Sequence, residues 1–115
     1  VERVDVEGAG AEIRNHPLVG PGGANADFLC QEPDADGWYS IRTYERGVEE
    51  ETLACGTGCA ASGVVLALNG AASPIHLRTR GGHLKVHLER DGDSVRNIWL
   101  EGLVDIIFRG AVVDI

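Results

Sequence analysis

Cys55 is followed by Gly56-Thr57-Gly58 and then by Cys59 to Leu68, a run of Cys, Ala, Ser, Gly, Val and Leu that carries no charge. A helix apolar on every side belongs in an interior. Its N-terminus falls at Gly56-Thr57-Gly58, where small side chains leave backbone N–H groups bare. Those orphan donors and the helix dipole make a site for a carboxylate-sized anion. They also favour thiolate over thiol in a cysteine placed there. Cys55 therefore reads as a reactive thiol beside an anion hole. An isolated Ala-Cys-Gly describes a small core residue equally well, so the assignment rests on what surrounds it.

The elements that position this thiol can be taken from the residues before it. Ala26 to Gln31 and Trp38 to Tyr44 read as strands, joined by the turn Pro33-Asp34-Ala35-Asp36-Gly37. Pairing them antiparallel brings Asn25 to the Glu45-Arg46 end. Gly47 is a corner, and Glu49-Glu50-Glu51 reads as a solvated acidic link. Upstream, Val1 to Val6 alternates as the end of a strand, and Gly8 to Arg14 is a short helical turn leading to Pro17. Downstream, Asn69-Gly70 stops the apolar helix. Ile75 to Thr79, Leu84 to Leu88, Val95 to Leu100, Leu103 to Phe108 and Ala111 to Ile115 follow as strands, separated by glycine-rich turns. Many strands and one apolar helix predict an α+β fold, a curled antiparallel or mixed sheet wrapping that helix.

Composition limits the function. At 115 residues the chain is one domain's worth, and a net charge of −8 argues against nucleic acid or an anionic membrane as partner. No apolar run reaches transmembrane length and no signal peptide is visible. Three cysteines without framework spacing suit a reducing cytoplasm. Cys30 and Cys59 read as packed core thiols. His83 and His87 share a strand face with Lys85, opposite Leu84, Val86 and Leu88, as on a half-solvated strand. An ammonium between two histidines makes a poor metal site, and none is expected.

Tyr44-Glu45-Arg46-Gly47, the acidic link and Glu51-Thr52-Leu53-Ala54-Cys55-Gly56-Thr57-Gly58 together resemble the C-terminal active-site signature of diaminopimelate epimerases. Asn15-His16-Pro17, Gly23-Ala24-Asn25-Ala26-Asp27-Phe28, Gly81-Gly82-His83-Leu84 and Phe108-Arg109-Gly110 extend the resemblance, in order, over nearly the whole chain. It implies two similar half-barrels, each around a central helix, with the site in the cleft between them. It also implies interconversion of LL- and meso-diaminopimelate without pyridoxal or any other cofactor, by two thiols acting on opposite faces of the α-carbon. By resemblance Cys55 is one of those thiols. The N–H groups of Gly56 and Thr57 hold the α-carboxylate, Glu45 and Arg46 anchor the α-amino and carboxylate groups, and Asn25 holds the substrate further out. Without the motif, Glu45-Arg46 would read as an exposed surface pair.

The family's first-half elements, Gly-Asn-Pro-His and Asn-Gly-x-Arg-Cys, have no counterpart here. Residues 1–115 are thus expected to be a single, partial C-terminal catalytic domain without its N-terminal half. Alone, the chain is expected not to epimerise anything, because Cys55 reaches only one face of the carbon. The edge at Ala111 to Ile115 is expected to be sticky, partly disordered or the seam of a homodimer. Two other functions stay open at this point. One is a different racemase or isomerase of the same fold; the other is a non-catalytic remnant that binds a small amino acid.

Overall fold

The computed structural model describes residues 1–114. Along the chain come α1 (Val6–Arg14), a single 3-10 turn (Pro17–Val19), β1 (Ala26–Leu29), β2 (Trp38–Glu45), β3 (Glu50–Thr52), α2 (Gly56–Leu68), β4 (Ile75–Thr79), β5 (Gly82–Asp91) and β6 (Ser94–Gly102). The strands form one mixed sheet in the order β1-β2-β4-β5-β6, with β3 also paired to β2, curled as a half-barrel. With its two helices this is the expected α+β class.

β1 and β2 run antiparallel, Ala26 opposite Tyr44 and Leu29 opposite Ile41. Their turn is tied by Asp34 Oδ1, which accepts from the N–H groups of Asp36 and Trp38 at 2.9 and 3.0 Å, and Gly37 takes φ +83°. β4 joins β2 in parallel, with α2 in the crossover, and β4, β5 and β6 form an antiparallel meander.

Period-two alternation gives β1 and β2 two different jobs. Ala26, Phe28 and Tyr44 pack with Val4, Val6 and Ala11 on the α1 side. Leu29 and Ile41 join the larger core on the α2 side with Cys59, Leu66, Ala67, Ile75, Leu77, Val86 and Leu88. Each fully buried Ile, Leu or Val there contributes about 1.5–3 kcal/mol. Helix α2 begins at Gly56 and ends at Leu68, with Asn69 as its C-cap and Gly70 at φ +104°. It turns Gly58, Cys59, Ser62, Gly63, Leu66 and Ala67 inward. Its other face, Ala61, Val65 and Leu68, is exposed among the described residues.

Four expectations need correction. Val1 to Val6 is not a strand: Asp5 caps α1 by accepting from Gly8 N–H at 3.0 Å, and Val6 is the first, buried residue of the helix. Cys30 is not a core thiol; it lies half-buried just past β1, with the chain's terminal ammonium 3.8 Å from its sulfur. The acidic link is not simply solvated. Glu50–Thr52 forms β3 against β2, and Glu51 accepts two 2.7 Å bonds from Arg42 and a third at 3.4 Å from Arg80. Leu103 to Phe108 and the described part of Ala111 to Ile115 carry no strand; Ile115 lies outside the described residues. A strand needs an edge to pair with, and among the described residues this apolar tail is paired with none.

Candidate active site

Cys55 is the N-cap residue of α2, in extended backbone, and its side chain makes no capping bond to the helix. The first intrahelical bond runs from Cys59 N–H to Cys55 O at 2.9 Å. The N–H groups of Gly56, Thr57 and Gly58 therefore have no helical acceptor. Gly56 and Thr57 are exposed, while Cys55 is only 7% exposed. The thiol is thus shielded at the edge of an open ring of donors. Thr57 Oγ1 lies 3.4 Å from Cys55 Sγ, and Asn25 Nδ2 donates to the same sulfur at 3.6 Å.

Asn25 joins the two halves of the sequence motif. Its Oδ1 accepts from Arg46 N–H at 2.8 Å, so one amide side chain spans from thiol to turn. The β1–β2 register makes this possible, because Ala26 opposite Tyr44 leaves Asn25 beside the residues that follow β2. Glu45 ends β2, and Gly47 turns the chain at φ +92°. The Arg46 guanidinium is exposed, with Nη1 donating to Gly22 O at 3.3 Å. All six residues singled out by the motif therefore lie around the start of α2 or the turn joined to it through Asn25.

Two further residues belong to this neighbourhood. Asp27 lies against Gly58, where a Cβ would collide with its carboxyl, and accepts from Thr43 Oγ1 at 2.6 Å. Burial pushes the Asp27 carboxyl above its ordinary value; Thr43 pulls it back, and nearby Glu45 pushes it further up. Burial, assisted by Asp27, also raises the Cys59 thiol to about 11. Cys59 is 0% exposed, which bears out its reading as core and removes it as a proton carrier. The signal for Asp27 was available: a carboxylate alternating with Phe28 on β1 must face the apolar helix.

A groove of about 730 Å³ is lined by Ala54, Trp38, His83, Leu84, Lys85 and Glu101 among others. Neither Cys55 nor Asn25 lines it, so it is not the thiol's pocket. His83 there packs on Trp38 with ring centroids 4.4 Å apart and accepts from Arg78 at 2.7 Å, and His87 pairs with Glu101 at 3.4 Å. Among the described residues no three His, Cys, Asp or Glu side chains gather as a metal site, and no helix is long and apolar enough to cross a membrane.

The diaminopimelate epimerase family model matches residues 1–102. The chain is 37% identical over 110 residues to a diaminopimelate epimerase of Flavobacterium psychrophilum, a match covering 94% of this chain and 42% of that one. It is 39% identical to those of Gemmatimonas aurantiaca and Aquifex aeolicus, each match covering 99% of this chain and 44% and 40% of theirs. The chain thus spans well under half the length of these curated relatives. With a thiol at a helix start, an asparagine bridging it to Glu45-Arg46, and this agreement along its length, the chain belongs to the diaminopimelate epimerase family.

Proposed function

We propose that residues 1–115 are the C-terminal catalytic portion of an enzyme interconverting LL- and meso-diaminopimelate without pyridoxal, supplying lysine and peptidoglycan precursors. The observation that carries this reading is the link from Cys55 Sγ through Asn25 to Arg46 N–H, beside three N–H groups with no helical acceptor. The Cys55 thiolate removes the α-proton from one face. A second thiol, from outside residues 1–115, returns a proton to the other face. Shielding from water strengthens such a thiolate as a base. Gly56, Thr57 and Gly58 N–H groups hold the α-carboxylate as charge builds on it, in the manner of an oxyanion hole. Glu45 and Arg46 anchor the amino and carboxylate groups, and Asn25, bonded to the thiol and to the Arg46 N–H, holds the substrate further out.

The open face of α2 and the apolar tail from Leu103 give the other half-barrel a surface to cover. With that half in place α2 becomes the enclosed central helix of its own half-barrel. In its absence, the same tail is the seam of a homodimer. Three free cysteines support a reducing cytoplasm as the setting.

The test fuses the first half of the Gemmatimonas aurantiaca relative ahead of residue 1. It then follows epimerisation and α-proton exchange in deuterated solvent. The fusion should turn over, its Cys55→Ala variant should lose exchange from at least one stereoisomer, and residues 1–115 alone should be inactive. Exchange from both isomers that survives Cys55→Ala overturns the reading.

A further inference from the structure

Glu49 sits in a backbone conformation that costs free energy. Its φ is +62°, in the left-handed region that glycine adopts easily and glutamate rarely does. Its side chain supplies a reason for it to be there. Glu49 Oε1 accepts from Arg14 Nε at 2.8 Å and from Gly47 N–H at 3.1 Å, and Oε2 accepts from the Tyr44 hydroxyl at 3.4 Å. Helix α1, strand β2 and the Gly47 corner thus end on one carboxylate. These bonds hold the Glu49 carboxyl below its ordinary value, the Gly47 N–H acting most strongly and Arg14 next.

The contacts continue past Arg14. Its Nη1 donates to Gly22 O at 3.4 Å, the same carbonyl that accepts from Arg46 Nη1 at 3.3 Å. Gly23, at φ +68°, leaves open the space that the Arg14 guanidinium occupies. Two guanidinium groups therefore meet at one carbonyl oxygen. Arg14 is neutralised by Glu49, while Arg46 forms no ion pair among the described residues. Like charges this close would push one another away unless one were compensated.

We propose that Glu49 and Arg14 are positioning residues for Arg46: together they close the Glu45-Arg46-Gly47 turn and leave the Arg46 charge directed to a substrate carboxylate. This deepens the epimerase reading and rests on it. With the charge that builds in the transition state met by the Gly56, Thr57 and Gly58 N–H groups, Arg46 binds ground state and transition state alike, so disturbing its support raises KM without touching kcat.

Glu49→Gly separates this role from a structural one, because it removes the carboxylate and relieves the backbone at once. In the active fusion, KM for meso-diaminopimelate should rise roughly tenfold, with kcat and Tm nearly unchanged. Glu49→Gln, which keeps a neutral acceptor, should give a smaller rise. Glu50→Ala, at an exposed neighbour, should change neither constant. An unchanged KM overturns the proposal, as does a lowered one, the result expected if bare positive charge on Arg14 merely added attraction. A joint fall of kcat and Tm overturns it as well, by showing a structural role. If the unmutated fusion is inactive, the epimerase reading fails separately. Hydrogen exchange at the Arg46 amide in residues 1–115 then decides the matter, since its own acceptor Asn25 is untouched. Exchange should quicken about tenfold in Glu49→Gly, and equal rates overturn the proposal.

Discussion

Gly63 brings α2 tightly against β5, and it offers a severe test of the packing that sets the position of Cys55. A Cβ built there would lie 2.7 Å from Val86 Cγ1, 2.9 Å from its Cβ and 3.1 Å from Cγ2. Val86 is 0% exposed on β5, hydrogen-bonded between β4 and β6, so it cannot turn aside. In the Gly63→Ala variant the helix gains about 1 kcal/mol of intrinsic propensity. Against that, three contacts far inside van der Waals distance place the overpacking cost near the upper end of the usual range, about 2–3 kcal/mol. The net loss is about 1–2 kcal/mol, a fall in Tm of roughly 5–15 °C for a domain of this size. Urea unfolding of residues 1–115 measures it. Val86→Ala creates a cavity of its own, yet combined with Gly63→Ala it should recover about 1 kcal/mol or more relative to additivity. A Gly63→Ala protein as stable as the parent, or a strictly additive double variant, would refute the claim that the helix rests on β5 without room for a methyl group.

Three further outcomes are expected. Cys55 should be alkylated by iodoacetamide well before Cys59, whose fully buried thiol is raised to about 11; equal labelling under native conditions would contradict the site. Glu51 is held below its ordinary 4.5, chiefly by hydrogen bonds from Arg42, so its contribution is complete above that value and is lost as pH falls through the lower folded one. Arg42→Met should therefore flatten the acid limb of urea midpoint against pH, and an unchanged limb would argue against the pair. Removing residues 103–115 should lower aggregation with little change in urea midpoint, because Leu103, Ile107, Phe108 and Val112 are exposed; a large loss of stability would mean the tail packs on the domain.

Much of this arrangement was legible in the sequence because local signals agreed. The uncharged run after Gly58 marked α2, Asn69-Gly70 marked its end, and the Asp34 turn fixed the β1–β2 register that delivers Asn25 to Arg46. Where the reading failed, the deciding partner was distant in sequence. Glu49 and Glu51 looked solvated because the guanidinium groups of Arg14 and Arg42 that hold them come from other elements. β3 is too short to declare itself by alternation, and it exists because β2 offers it an edge at Thr43 to Glu45. The tail shows the same rule from the other side. Leu103 to Phe108 has strand composition but pairs with no edge among the described residues, so composition alone does not make it a strand. Val1 to Val6 failed differently. Valines at positions 4 and 6 fit a strand by spacing, but the carboxylate of Asp5 caps the helix that Val6 begins, and burial of Val6 against Tyr44 secures it. The residues that shape the proposed anion site thus divide by the reach of their partners. Cys55 and its glycine-rich helix start were readable from neighbours in sequence, whereas the support of Arg46 became readable only when Arg14, Gly22 and Glu49 were brought together by the fold.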